Sequence, residues 1–355
     1  GSMEPTDGGA AGREAGMGRR ITVLAALWVW VMAASVPAGA GVLDDVRQRG
    51  ALRCGANPIV GYAIPNESGK WVGFNVDFCR ALAAAIFKDA ERFEVVPVES
   101  KTRFRALANG TVDLLVDGTT WTLERDVTMG FSFAGVWLYD GQGFLAKKSL
   151  GIRSMKEAGE ASVCVADGTT SRRNVEDYLR AYDLKAKVVV VQSDEGAWTS
   201  FLKGRCDIIT NDRFGLIMRS VLHSADARQY ALLPEMISKE PLGPVVRAGD
   251  DRWFKLVRWV LSALIAAEER GLSARRVVAV PADADTELRI LSGQGDDHAE
   301  HLGLEPGWAR RAIEQVGHYG EIFDRHFGAH SPLKAERGVN ALWNRGGLMY
   351  APPFK

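Results

Sequence analysis

From Ala51 to Thr210, strand-like apolar runs and helical stripes take turns, and this alternation constrains the fold more than any other feature of the 355 residues. Ala51-Leu52-Arg53-Cys54-Gly55 suits a buried strand, and Val76–Phe87 sets Phe78, Leu82, Ile86 and neighbouring alanines on one helical stripe. Phe93–Val98 reads as a strand, Phe104–Ala108 as a helical turn and Val112–Val116 as another strand. A βαβαβ run of this kind favours a parallel sheet with crossover helices. A second set follows: strand Ser162–Val165, helix Ser171–Ala181, strand Lys187–Val191, helix Glu195–Leu202 and strand Asp207–Thr210. The expected class is therefore α/β, with two such units in succession. At 46% hydrophobic and 25% charged residues the chain is neither a disordered polyampholyte nor a polytopic membrane protein. Its 44 basic and 44 acidic side chains cancel, which argues against a nucleic-acid partner.

The N-terminal stretch has a different character. Gly1-Ser2-Met3 reads as an expression scar. Arg19-Arg20 then precede an uncharged apolar run from Ile21 to Val36, closed by Ala38-Gly39-Ala40. Basic start, apolar centre and small-residue site predict a secretory signal peptide cut near Ala40, the run being short for a membrane span. Export bears on Cys54, Cys79, Cys164 and Cys206, because an oxidising compartment favours disulfides. Four cysteines allow three complete pairings; the preferred one, Cys54–Cys79 with Cys164–Cys206, keeps each bond within one half of the chain. Free buried thiols are the alternative. With no C-x-x-C pair, zinc is not expected.

Open α/β sheets bind ligands at the carboxyl ends of their strands, and two facing sheets would form a cleft. Behind Val112–Val116 come Gly118, Thr120 and Arg125; behind Ser162–Val165 come Gly168, Thr169, Thr170 and Arg172; behind Asp207–Thr210 comes Asp212. These types suit a zwitterion. A guanidinium grips a carboxylate with two N–H groups, a helix start offers free N–H groups to the same anion, and a carboxylate balances an ammonium.

Several segments carry a resemblance: Gly118-Thr119-Thr120-Trp121-Thr122-x-x-Arg125-Asp126, Asp140-Gly141-Gln142-Gly143-Phe144, Gly168-Thr169-Thr170 and Gly204-Arg205-Cys206-Asp207. Lys239–Arg247, Tyr319–Arg325 and Asn340–Pro353 add to it. Together they resemble the periplasmic solute-binding proteins of polar amino-acid ABC transporters (bacterial extracellular solute-binding protein family 3), most of all the general L-amino-acid-binding subgroup. The likeness covers residues 43–355, and the four cysteines fall where that subgroup has its own.

The resemblance implies a type II periplasmic-binding-protein fold: two lobes, each a mostly parallel sheet flanked by helices, with hinge crossings near Phe144–Lys147 and Pro244–Arg247. Residues 1–40 would then be scar and signal, 41–145 the first part of lobe 1, 146–245 lobe 2, 246–280 the return to lobe 1, and 281–355 a C-terminal extension packed on lobe 1. By the family's pattern, Arg125 and the Thr120 and Thr170 N–H groups hold the α-carboxylate. The Gly118 carbonyl, the Thr120 hydroxyl and Asp212 hold the α-ammonium, and Tyr62 packs on the ligand. Thr169 and Arg172 are weaker members of the set.

The expected protein is a monomeric periplasmic receptor, not an enzyme, without cofactor or metal. It captures L-amino acids, with a lean toward polar or acidic ones, and delivers them to an inner-membrane ABC permease. Asp167, Arg172 and Arg173 depart from the family's pattern, and Arg172 or Arg173 is a candidate for a bias toward acidic side chains. A dehydratase-like enzyme of the same fold, or a binder of another small carboxylate, is the alternative. His298-x-x-His301 beside Asp296, Asp297 and Glu300 lacks H-E-x-x-H order and reads as a solvated segment.

Overall fold

The computed structural model describes residues 41–223 and 227–355, so the expected scar, signal peptide and cleavage at Ala40 lie outside the described residues. Helix α1 (Val42–Arg49) leads into β1 (Leu52–Ala56), and β2 (Ile64–Pro65) pairs with β3 (Trp71–Val72) in a small hairpin. There follow α2 (Phe74–Phe87), β4 (Phe93–Pro97), α3 (Arg103–Ala108), β5 (Leu114–Leu115), α4 (Leu123–Thr128) and β6 (Phe131–Phe133). Beyond β7 (Leu138–Asp140) and β8 (Gln142–Lys147) come β9 (Ser162–Ala166), α5 (Thr170–Ala181), β10 (Lys187–Val191), α6 (Asp194–Leu202), β11 (Ile208–Asp212), α7 (Arg213–His223) and β12 (Tyr230–Leu232). The chain returns through β13 (Glu240–Leu242) and β14 (Val245–Arg247) to α8 (Asp251–Glu269). It closes with α9 (Thr286–Leu291), α10 (Ala299–Leu302), α11 (Trp308–Val316) and α12 (Tyr319–His326).

Two five-stranded sheets result, ordered β4-β1-β5-β14-β6 and β10-β9-β11-β8-β12. Each has three parallel strands from a βαβαβ run, joined by antiparallel strands from elsewhere in the chain. The parallel strands start and end within a residue or two of the expected positions, because their apolar runs and turn residues mark them. The short antiparallel strands were not expected: β6, β7, β12, β13 and β14 have three residues each, too few to display a period.

The first crossing does not fall at the segment the sequence suggested. Phe144–Lys147 is interior to β8, paired with β11 in the middle of the second sheet, so a boundary at residue 145 would cut that strand. The chain leaves the first main sheet after Phe133 and joins the second at Gln142, and it leaves the second after Leu232 and rejoins the first at Val245. The connecting strands β7 and β13 pair antiparallel in the register Glu240↔Asp140, Pro241↔Tyr139, Leu242↔Leu138. Pairing the two connections with each other satisfies their backbone groups outside either main sheet.

Burial explains the two-sided character of the second sheet. Phe144, Val163, Val165 and Ile208 join one core cluster, while their neighbours Leu145, Cys164 and Ile209 join another with Trp198 and Phe201. Alternate residues thus point to opposite, equally apolar faces, as expected when helices cover both. The largest cluster joins α2 and α8 to the C-terminal helices through Phe74, Phe78, Trp253, Trp308, Tyr319, Phe323 and Phe327. Arg337 grips Glu268 with two bonds of 3.0 Å. Asn340 accepts from the Tyr139 N–H at 2.7 Å and donates to its carbonyl at 2.8 Å, so the tail pins strand β7.

Both preferred disulfides are present. Cys54–Cys79 ties β1 to α2, and Cys164–Cys206 ties β9 to the turn before β11. Closing loops with separations of 25 and 42 residues, each contributes about 3–4 kcal/mol in the chain-entropy account. Among the described residues, no helix is long and apolar enough to cross a membrane, and no His/Cys/Asp/Glu group could hold a metal ion.

Candidate functional site

The carboxyl ends of the two sheets face each other across a cavity of about 350 Å³ of atom-free space, part of it open to solvent. The first sheet contributes Asn57 after β1, Ser100 and Arg103 after β4, and Asp117, Gly118 and Thr120 after β5. The second contributes Thr169, Thr170 and Ser171 at the start of α5, Asp194 after β10, and Asn211 and Asp212 at the end of β11. Gly118, Thr120, Thr169, Thr170 and Asp212 thus share one wall-to-wall space.

Backbone geometry sets each of these groups. Gly118 has φ +74°, the left-handed region that a side chain resists, and this bend turns the chain out of β5. The next residues lie along the connecting strand: Trp121 donates to Pro241 O at 2.9 Å, and Gly243 donates to Thr119 O at 3.1 Å. Thr120 is therefore fixed by the hinge itself. On the other wall the Thr169 hydroxyl caps α5 by accepting from the Arg172 N–H at 3.3 Å, and it donates to Ala166 O at 2.8 Å. That commits Thr169 to the cap and leaves the helix's first N–H groups facing the cavity. The Thr120 and Thr170 hydroxyls approach to 3.4 Å across the walls.

Arg125 lines the groove that opens from the cavity, whose atom-free space is about 1570 Å³. It is 7% exposed, donates to the Thr120 carbonyl at 2.9 Å, and stacks 5.2 Å from the Phe104 ring centre. Burial and the neighbouring Arg103 guanidinium push its pKa down to about 10, so it stays charged at neutral pH. Arg172 also lines the groove, but its guanidinium bonds Asp167 at 2.9 Å and Glu176 at 3.2 Å on the outer surface. Arg173 pairs with Glu124 at 3.2 Å, also exposed. Tyr62 is buried and packs edge-on against Phe327 at 5.3 Å. It lines a neighbouring small cavity with Asn75 and Trp137, which touches the main one only through Gly118.

The acidic side of the site is richer than Asp212 alone. Glu240, 1% exposed on β13, accepts from the Thr120 and Thr170 hydroxyls, from Asn174 at 3.0 Å and from Ser238. Burial raises the Asp212 pKa well above the carboxylate range, and Asp140, Glu240 and Asp194 reinforce the shift. Asp140 is lifted to about 7, chiefly by burial, against the pull of the Gly141 and Phe214 N–H groups and Arg213. Carboxyls crowded together in this way hold protons until a cation joins them, which is the electrostatic setting for an ammonium. Arg103 was also missed. It is 4% exposed, pairs with Asp117 at 3.1 Å, and keeps a buried Nε without a partner. Arg103, Asn57 and Asp194 all follow carboxyl ends of strands, so the rule that found Gly118 and Asp212 could have found them.

With that geometry in place, comparison with known proteins is decisive. Residues 52–273 match the bacterial extracellular solute-binding proteins, family 3. The chain belongs to that family. It is 44% identical over 322 residues to a general L-amino-acid-binding periplasmic protein of Rhizobium johnstonii, covering 90% of this chain and 94% of the other. A glutamate/glutamine/aspartate/asparagine-binding protein of Rhodobacter capsulatus is also 44% identical, over 321 residues, with 90% and 94% covered. Among solved structures, a Brucella ovis periplasmic binding protein of an ABC transporter, with glutathione bound, superposes with TM-score 0.86 at 43% identity, covering 89% of this chain and 100% of that one. The two-sheet architecture is therefore the family's type II fold, shared with relatives that are named as binding proteins.

Proposed function

We propose that this solute-binding protein captures L-amino acids in the cavity between its sheets and presents them, in the periplasm, to an inner-membrane ABC permease. It acts as a closing receptor and carries out no chemical step. The observation that carries the reading is the split of charge across the cavity. Arg125 and the N-terminus of α5 suit an α-carboxylate, and Asp212, reinforced by Asp140 and Glu240, suits an α-ammonium. A ligand with both charges engages both walls at once, which favours the closed arrangement. The proposed lobes are residues 41–141 with 243–355, and 142–242, joined at the β7–β13 pair.

Selectivity in this proposal rests on Arg103 rather than on Arg172 or Arg173, whose guanidinium groups are engaged by surface carboxylates. The spare Arg103 Nε suits an oxygen on the ligand's side chain, favouring glutamate, aspartate and their amides. The groove around Lys101, Arg172 and Arg173 supports a second reading, a longer γ-glutamyl ligand such as glutathione. A thermal-shift screen of ligand-stripped protein against the common L-amino acids, dicarboxylates and glutathione tests both. Stabilisation by the acidic and amide amino acids supports the first reading; stabilisation by glutathione alone replaces it with the second; no response to any of them refutes both.

Binding should also depend on pH. Asp140, with an ordinary pKa of 3.8, holds a proton up to about pH 7 in the folded protein. Between about pH 4 and 7 the native state thus binds more protons than the unfolded one, and ligand-free stability falls as pH rises through that window. An ammonium beside the cluster favours the ionised carboxyls, so binding releases protons and tightens with rising pH. The expected gain between pH 5.5 and 7 is up to about tenfold per unit for each proton released. Calorimetry in buffers of different ionisation heat reads the proton count directly. A pH-independent affinity would remove the acidic cluster from the ammonium site.

A further inference from the structure

Asp194 stands at the first turn of α6 on the second sheet's wall, 6% exposed. Its Oδ2 accepts from the Asn57 amide at 2.7 Å and from the Ser100 hydroxyl at 2.7 Å, both carried by the first sheet's wall. Its Oδ1 accepts from Asn211 on its own wall at 3.2 Å. One carboxylate thus takes two donors from the opposite wall and one from its own, in a buried position where charge-assisted bonds are strongest.

We infer that Asp194 is a positioning residue that latches the two walls together directly, setting the open–closed balance and through it the affinity for ligand. The inference rests on the closing receptor proposed above. What distinguishes this contact from the ion pairs that also run from wall to wall is burial. Lys101 reaches Asp167 at 3.1 Å with its side chain 54% exposed, and Arg173 reaches Glu124 at 3.2 Å with its own 73% exposed. Exposed pairs of this kind contribute little, since water and salt compete for both partners. Parting the walls at Asp194 takes two donors from a buried carboxylate in one step. Because protein groups make all of these bonds, the latch acts on any ligand equally and tunes affinity without choosing among substrates.

Small-angle X-ray scattering of full-length mature protein without ligand, paired with calorimetry of L-glutamate binding, tests it. D194A should shift the ligand-free open-to-closed ratio at least about tenfold toward open, seen as a larger radius of gyration, and weaken glutamate by a similar factor. The N57A/S100A variant, which leaves α6 untouched, should reproduce both changes even if D194A folds poorly. Adding D194A to N57A/S100A should cost little more, because the partners are already gone. K187A, which breaks the exposed Lys187–Glu160 pair away from the cavity, should move either readout less than about threefold. A D194A or N57A/S100A protein with the wild-type scattering curve overturns the latch, whatever its glutamate affinity. Wild-type protein that fails to bind glutamate, yet shows the scattering shift between variants, counts against the proposed ligand and leaves the latch standing.

Discussion

Arg125→Ala should weaken amino-acid binding at least about thirtyfold, roughly 2 kcal/mol, because a buried carboxylate would lose its charged partner. Three features make this residue the one to remove. Among the described residues it carries no salt bridge, its contacts being the Thr120 carbonyl and the Phe104 ring. Arg103 is committed in part to Asp117 and substitutes poorly. The carbonyl it holds belongs to Thr120, whose own N–H is assigned to the same ligand carboxylate, so the substitution also loosens a second donor. Arg125→Lys should recover a minority of the loss, since an ammonium keeps the charge but not the planar fork. Isothermal calorimetry on ligand-stripped protein gives the number, with a melting curve alongside to separate folding from binding. Near-wild-type affinity in Arg125→Ala would sink the assignment of the carboxylate site.

Much of this arrangement was legible before any coordinates, and the reason is physical. Parallel strands buried on both faces must be continuous apolar runs, and Val163–Val165 announces itself; Val188–Val191 is as apolar in sequence but forms the sheet's edge, with Val189 and Val190 exposed. The residues that follow such strands converge by topology, so Gly118, Thr120 and Asp212 could be named from order alone. Asn57, Arg103 and Asp194 obey the same rule at β1, β4 and β10 and were within its reach. Glu240 was not. It sits on a three-residue connecting strand with no periodicity, and only the pairing of β13 with β7 brings it beneath Thr120 and Thr170. The first crossing, set at Phe144–Lys147 by the family resemblance, falls inside β8 instead, because pairing with β11 claims that segment for the second sheet. Arg172 lines the groove beside the cavity, while Asp167 and Glu176 hold its guanidinium.

Closure makes a second demand, met by an atom that is missing. Gly168 has φ +74°, and a Cβ there would lie 2.8 Å from the Lys101 Cα and 3.0 Å from its backbone N. Lys101 follows β4 on the opposite wall, so this is backbone against backbone, and neither side can rotate out of the way as a flexible side chain would. Gly168→Ala should therefore fold, since parting the walls relieves the clash, yet bind amino acids about five- to a hundredfold more weakly, overpacking of this kind costing about 1–3 kcal/mol. The left-handed backbone adds a separate penalty of about 1 kcal/mol that has nothing to do with closure. Gly151→Ala isolates that penalty: its φ is +66°, and nothing lies within 4 Å of the added carbon. Both variants should lose similar stability in chemical denaturation, and only Gly168→Ala should lose affinity in calorimetry. Equal affinities in the two would mean that Lys101 and Gly168 need not touch for the ligand to be held. The closed cavity would then depend on the carboxylate and ammonium contacts alone.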